Sequence, residues 1–175
     1  VLDYGHNLFD ENLLDTICGL PYFLVVNAQT NTSNFGYNLI TKYPRANYFC
    51  LDEWELRLAY QDRHGDIESL IRILGKRTFL PGIVSVTRGH LGAVSYDPKT
   101  GQLFQSPVFS KKVVDTTGAG DAFLAITAPC VAKCFPIDMV TFIGNVAGAL
   151  AVGYLGNKSS VEAESLYQFI ETLLE

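Results

Sequence analysis

Val113-Val114-Asp115-Thr116-Thr117-Gly118-Ala119-Gly120-Asp121-Ala122-Phe123 reads as a strand, a loop of small residues and the first turn of a helix. Gly118 and Gly120 lack a Cβ, so the main chain there can approach a ligand closely. Amides at a helix N-terminus have no intrahelical partner, and the macrodipole adds positive potential. Together they make an anion site, most often for phosphate. Asp121 falls in the first turn of that helix. A carboxylate beside an anion hole is unfavourable unless it has a chemical task, such as accepting the proton of a hydroxyl that attacks phosphorus. The plainer alternative is that Asp121 caps the helix and the glycines only turn the chain. The string is not a Gly-x-x-x-x-Gly-Lys-Ser/Thr loop, and it lacks the third glycine of the dinucleotide fingerprint.

Outward from this stretch, strands and helices alternate. After Gly118 the chain is mostly helical, over 118–133, 137–155 and 161–174, with Pro129 predicted to break the first of these near Ala128. Before it, Ile83 to Val86, Ala93 to Tyr96 and Leu103 to Phe109 read as strands. The last two are joined by the turn Asp97-Pro98-Lys99-Thr100-Gly101, and the three give an antiparallel edge. Further back, Asp10 is an N-cap for a helix through Leu13, Leu14 and Ile17, stopped by Gly19. Tyr22 to Val26 is a short apolar run suited to a strand buried on both faces, and Tyr48 to Leu51 is a strand candidate. Phe35 to Tyr43, Glu53 to Tyr60 and Ile67 to Leu74 are predicted helices. The pattern is an α/β domain with a mostly parallel sheet.

Composition narrows the partners. Of 175 residues, 48% are hydrophobic and 18% charged, which argues against disorder, and the net charge of −5 offers no basic stripe for nucleic acid. The most apolar stretch, Met139 to Leu155, is interrupted by Asn145 and by glycines and falls short of the roughly 20 apolar residues that span a bilayer. The segment Val1 to Asp10 has no basic n-region of a signal peptide. Cys18, Cys50, Cys130 and Cys134 suit free thiols in a reducing cytoplasm. Cys130 and Cys134, at i and i+4, could share a helix face but have no companion ligands at zinc spacing.

The whole string Asp115 to Phe123 is far more specific than a bare Gly-x-Gly. It resembles the C-terminal signature of the PfkB, or ribokinase-like, carbohydrate kinases. Thr87-Arg88-Gly89-His90-Leu91-Gly92 resembles that family's Thr-x-Gly-x-x-Gly strand-turn-strand, and Gly144 to Gly153 resembles its helix beside the adenine. Asp3-Tyr4-Gly5 is similar to a segment of bacterial heptose 7-phosphate kinase domains, the branch of ADP-heptose synthesis. The resemblance implies a three-layer α/β/α sandwich and an ATP- and Mg2+-dependent kinase for a sugar or sugar phosphate. In it Asp121 would be the general base, and Gly118, Ala119 and Gly120 the anion hole. Thr87, Gly89 and Gly92 would lie along the nucleotide and Asn145 near the adenine. Asp115 and Thr117 match positions where some relatives hold a monovalent cation such as K+, although Asp115 equally suits a loop cap. A homodimer or a fused nucleotidyltransferase domain are the partners it suggests.

Three segments depart from the pattern. Asp52-Glu53-Trp54-Glu55 stands where the family has Asn-x-x-Glu, which orients Mg2+ through water. Asp52 and Glu55 suit a hydrated divalent cation, a capping box, or both. His6 takes about the place of a lysine, and is a weaker cation near neutral pH. Asn27-Ala28-Gln29-Thr30-Asn31 replaces an Asp-Pro-Lys type sequence at a strand end; its amides suit ligand contacts or a plain polar loop. Relatives run to roughly 300 residues, within the range of one α/β domain, so residues 1–175 are expected to be the nucleotide-binding and catalytic portion, without the N-terminal substrate and lid half. That predicts an exposed sheet edge and apolar surface facing the missing half. Two alternatives stay open: a non-catalytic nucleotide-binding domain of the same fold, and a kinase for another small molecule such as a nucleoside.

Overall fold

The computed structural model describes residues 1–77, 82–109, 114–153 and 160–175. Among these residues six strands lie in one sheet in the order β1 (Leu2–Asp3), β2 (Val25–Ala28), β3 (Tyr48–Asp52), β4 (Ile83–Thr87), β5 (Ala93–Tyr96) and β6 (Leu103–Ser106). The first four are parallel, with registers Leu2↔Asn27, Val25↔Tyr48 and Tyr48↔Ile83. The next two return through links too short for a parallel crossover. Arg88 N–H donates to the Gly92 carbonyl at 2.7 Å, and Asp97 N–H to that of Gln102 at 2.9 Å. The expected α/β class with its antiparallel edge is therefore observed. Among the described residues six α-helices accompany the strands: α1 (Glu11–Gly19), α2 (Glu53–Tyr60), α3 (Ile67–Arg77), α4 (Ala119–Ala132), α5 (Ile137–Ala151) and α6 (Ala163–Leu174).

The chain divides into two compact units, Val1–Thr87 with Ser95–Leu103, and Arg88–Val94 with Phe104–Glu175. In the first, β3 is buried from Tyr48 to Leu51, which is why it reads as an unbroken apolar run. Val26, Val84 and Val86 from the flanking strands and Leu56, Ile71 and Leu74 from α2 and α3 complete this core. Ser85 is admitted to it because its hydroxyl bonds that of Ser95 at 2.6 Å. In the second unit, α4 packs on α5 across Gly144, where a Cβ would meet the Phe123 ring at 2.5 Å and the Thr127 methyl at 2.6 Å. Val146 and Ala147 of α5 pack with Leu166 of α6, and Phe109 meets Phe142 edge-on at 5.3 Å.

Several expectations are corrected. Phe35 to Tyr43 is not a helix; only a 3₁₀ turn, Ile40–Lys42, survives. Gly36 has φ +81°, and the Asn34 and Asn38 amides bond distant carbonyls, Asn34 that of Tyr4 and Asn38 those of Asp3 and Gln29. Strand β2 begins at Val25, and Tyr22, 71% exposed, lies outside it. Strand β6 stops at Ser106, because Pro107 cannot donate to a ladder. Helix α4 runs through Pro129 without a break at Ala128. The carbonyl freed by the missing N–H belongs to Ala125, which is exposed, so water can serve it, and the helix ends only three residues later. Cys134 lies beyond α4 at φ +59°, so it shares no helix face with Cys130. All four cysteines are free. The expected strand residue Val113 and the predicted helix end at Leu155 lie outside the described residues.

Candidate active site

The start of α4 is built by its sequence. Gly118, at φ +81°, is the N-cap and offers no side-chain cap to the first amides. Gly120 faces open space. The approach is fixed at two points. Asp115 Oδ1 accepts the Thr117 N–H at 2.9 Å, and the Val114 and Asp115 amides donate to the Val152 carbonyl at 2.8 and 3.3 Å, just past α5. So Asp115 caps its loop, as one of its two readings had it. Asp121 is exposed in the first turn. The result is a helix terminus open to an anion, with a carboxylate beside it.

A second cluster in the same unit gathers Gly89, Gly92, Ser106, Pro107 and Asn145. Gly89 and Gly92 have φ +55° and +84° in the turn that precedes β5. A Cβ on Gly92 would lie 2.0 Å from the Ser106 carbonyl oxygen, so only glycine fits. Asn145 donates to that same carbonyl at 2.8 Å and to the Pro107 carbonyl at 3.1 Å.

In the first unit, Asp52 and Thr87 are register partners at the C-terminal ends of β3 and β4, the end where ligands meet parallel sheets. Asp52 Oδ1 accepts the Glu55 N–H at 2.7 Å and Glu55 Oε2 the Asp52 N–H at 3.0 Å, a complete capping box. Glu55 Oε1 also accepts the Thr30 N–H at 3.0 Å. Asp52 keeps solvent access, yet crowding by protein raises its carboxyl above the ordinary value; the N–H bonds from Glu55 and Trp54 oppose the rise, and the Glu53 charge adds to it. No cluster of three metal-ligating His, Cys, Asp or Glu side chains occurs among the described residues.

The asparagine-rich loop turns inward. Asn27 Nδ2 donates to the Cys50 carbonyl at 2.9 Å, while its buried Oδ1 has no partner among the described residues. Asn31 Nδ2 donates to the Tyr4 carbonyl at 2.9 Å, and its Oδ1 accepts from Ser33 and Asn34. His6 is exposed. Sequence reasoning missed the group that organises this corner. Asp3, 2% exposed, accepts from Lys42 Nζ at 2.5 Å, Tyr43 Oη at 2.8 Å and the Gly5 N–H at 2.9 Å. Burial alone would raise its carboxyl; the Lys42, Gly5 and Tyr43 bonds outweigh that and hold it below the ordinary value. Burial and the Asp3 charge push the Tyr43 hydroxyl upward. The one sequence signal was an Asp ending an apolar strand, which demands a cation from somewhere.

The fold is similar to that of solved proteins. A candidate ribokinase from Agrobacterium tumefaciens superposes with a TM-score of 0.70 at 16% identity, over 93% of this chain and 52% of that one. A candidate ribokinase II from Escherichia coli, solved with ATP and Mg2+, gives 0.63 at 25% identity over 74% and 40%. The bifunctional protein HldE of Methylococcus capsulatus is 34% identical over 116 residues, which is 66% of this chain and 24% of that protein. The chain thus spans about a quarter of the length of that relative. The fold defines the class: the chain has the ribokinase-like fold of small-molecule kinases. It belongs to the pfkB family of carbohydrate kinases, whose profile matches residues 36–164.

Proposed function

We propose that residues 1–175 form the nucleotide-binding and catalytic portion of a longer kinase domain that moves the terminal phosphoryl group of ATP to a hydroxyl of a sugar or sugar phosphate. The observation that carries this reading is the open glycine N-terminus of α4 with Asp121 in its first turn, set within a pfkB-family match. Asp121 accepts the proton of the attacking hydroxyl as the new P–O bond forms. The amides of Gly118, Ala119 and Gly120 receive the charge that spreads over the phosphoryl oxygens, in a fixed geometry that needs no rearrangement during the step. Gly89, Gly92 and Asn145 shape the nucleotide side of the second unit, and Thr87 ends β4 beside Asp52.

Mg2+ and a monovalent cation are implied by the family reading, and the donor chemistry fits them. Asp52 and Glu55 are hard oxygen donors already anchored by N–H bonds, suited to holding Mg2+ through water. Asp115 and Thr117 would offer oxygens to K+. Bound Mg2+ would neutralise phosphate charge. A heptose phosphate is the favoured acceptor class, supported by the HldE likeness; the bifunctional name of that relative supports looking for a second, fused domain in the full protein. A homodimer is the other assembly to test. The free cysteines support a cytoplasmic setting, and no helix among the described residues is long and apolar enough to cross a membrane.

The test is ATP consumption by the full-length protein with a panel of sugar phosphates and nucleosides. Asp121→Asn should lower transfer by about 10²–10⁴-fold while ATP affinity stays within threefold. Turnover in the variant comparable to wild type would remove Asp121 from the base role. ATP binding without turnover of any acceptor would favour the non-catalytic alternative.

A further inference from the structure

The last two turns of α3 carry Arg72, Lys76 and Arg77 around Ile73, and these four side chains line an open cleft of about 420 Å³. A Cβ on Gly75 would lie 3.4 Å from the Gly82 carbonyl oxygen, so this end of α3 sits beside the start of β4. Asp52 and Thr87 stand at the other ends of β3 and β4. The cleft is therefore on the sheet edge opposite the one where ligands meet parallel strands.

Two of its cations are held in place. The Arg72 guanidinium lies over the buried Tyr96 ring at 4.9 Å, and Arg77 Nη1 donates to the Thr41 carbonyl at 2.7 Å. None of the three pairs with a carboxylate among the described residues, although the chain has 18 acidic side chains against 13 basic ones. The acid of the adjoining turn is spent at home: Asp97 accepts the Lys99 N–H at 2.9 Å and the Thr100 hydroxyl at 3.1 Å. The helix dipole accounts for Lys76 and Arg77 in the last turn. It does not account for Arg72, four residues before Lys76, a like-charge spacing that disfavours a helix. Nor does it account for Ile73, an apolar side chain left 50% exposed among them.

The second unit carries the complementary surface. Residues 160–175, with α6, contain Glu162, Glu164, Glu171 and Glu175 and no lysine or arginine. Glu164, Glu171 and Glu175 are spaced by seven and four, so they share one face, and they are exposed with Tyr167 beside them. Leu166 holds α6 in the fold by packing on Val146 and Ala147, and the acidic face takes no part in that. Glu171 and Glu175 repel each other at i, i+4 and stand at the negative end of the helix dipole, where acids are unfavourable. No cation among the described residues pairs with them.

We propose that the acidic face of α6 in one copy of the chain docks on the α3 cleft of a second copy, with Tyr167 and Ile73 at the centre and the charges around them. Each surface relieves the uncompensated charge of the other. Their lengths agree, since Arg72 to Arg77 spans about 7.5 Å of helix axis and Glu171 to Glu175 about 6 Å. A lone small anion would leave Ile73 wet, whereas an amphipathic helix covers it. The contact joins two different surfaces, so it is head to tail: it builds a ring or an open chain, unlike a two-fold homodimer. Ion pairs at the rim make it weak and sensitive to salt. It does not depend on the kinase reading.

Sedimentation velocity of the full-length protein tests this. Self-association should grow with concentration at low salt, and its apparent Kd should rise at least about tenfold near 0.5 M salt, where the Debye length falls to about 4 Å. Lys76→Glu with Arg77→Glu should raise Kd at least about tenfold at low salt, and so should Glu164→Lys with Glu171→Lys. All four side chains are exposed. Mixed in equal amounts, the two variants should associate again, because each presents the charge that the other lacks; this rescue needs two folded proteins and so controls for folding. A wild type that stays monomeric up to about 500 µM overturns the proposal. So does association indifferent to salt, weakening by the α3 reversal alone, which would point to a different acidic partner surface, or failure of the mixture to associate.

Discussion

Replacing Lys42 by methionine keeps most of the side-chain volume and removes the only cation within bonding distance of Asp3 among the described residues. The carboxylate it strands is 2% exposed, and breaking a buried ion pair from one side costs about 3–5 kcal/mol. Two features of the site reduce that. The Gly5 N–H and the Tyr43 hydroxyl still donate to Asp3, and Lys42 is 28% exposed, so water can enter behind it. A loss of about 2–3 kcal/mol follows, or roughly 5–10 °C in Tm for a chain of this size. The Asp3 carboxyl is held below its ordinary value in the folded protein, so its contribution is present above the unfolded pKa of about 4 and is lost as pH falls through the lower folded value. The gap between wild type and Lys42→Met should therefore be full at pH 7 and shrink below about pH 4, where the carboxyl of the unfolded chain takes up its proton. Urea unfolding from pH 3 to pH 8 measures it. A gap under about 0.5 kcal/mol at pH 7, the scatter of neutral surface changes, would refute the view that this pair anchors the loop.

The test on Asp121 stands with two predictions about packing. Gly144→Ala places a methyl 2.5–2.6 Å from Phe123 and Thr127 and should cost about 1–3 kcal/mol, read as a lower urea midpoint with an unchanged slope. An unchanged midpoint would mean that α4 and α5 can separate freely. Pro129→Ala restores an N–H for the exposed Ala125 carbonyl, and should raise stability by about 1 kcal/mol, because relief of the helical penalty is partly offset by a freer unfolded chain. A destabilised variant would show that the proline is favourable where it stands.

Where local chemistry decided the structure, the sequence reading held. Asp10 caps α1 by accepting the Leu13 N–H, and Asp52 with Glu55 forms the capping box that their spacing allowed. Ala93–Tyr96 and the Asp97–Gly101 turn lie where their residues placed them, with Gly101 at φ +74°. The reading failed where partners came from far along the chain. Phe35 to Tyr43 has helical periodicity, but Asn38 bonds the Asp3 carbonyl 35 positions away, and Tyr43 reaches the Asp3 carboxylate across 40. No window of local sequence contains that information. The same limit hid Lys42 and turned the amides of Asn27 and Asn31 inward, onto carbonyls of neighbouring segments. For Asn145, the family resemblance supplied a neighbourhood, and only geometry showed where its donors point.

The net charge of −5 argues against a nucleic-acid stripe, and at first sight it sits badly with a nucleotide that is itself strongly anionic. The resolution lies in where the positive potential comes from. A duplex presents phosphates over many ångströms, so binding it takes a field of lysines and arginines that net charge reports. A nucleotide presents them at one point, and on the proposed function the open terminus of α4 would answer with main-chain amides and a helix dipole, none of which enters a count of charged side chains. An amide site also suits a reaction in which charge moves. Lysines would bind the phosphates of substrate and transition state nearly alike, whereas in the proposed role fixed amides at Gly118, Ala119 and Gly120 would favour the geometry in which charge has spread. On this account the acidic surface leaves the chemistry undisturbed, and neutralising surface carboxylates remote from Asp52, Asp115 and Asp121 should change nucleotide affinity only in a salt-dependent way, fading as ionic strength screens them.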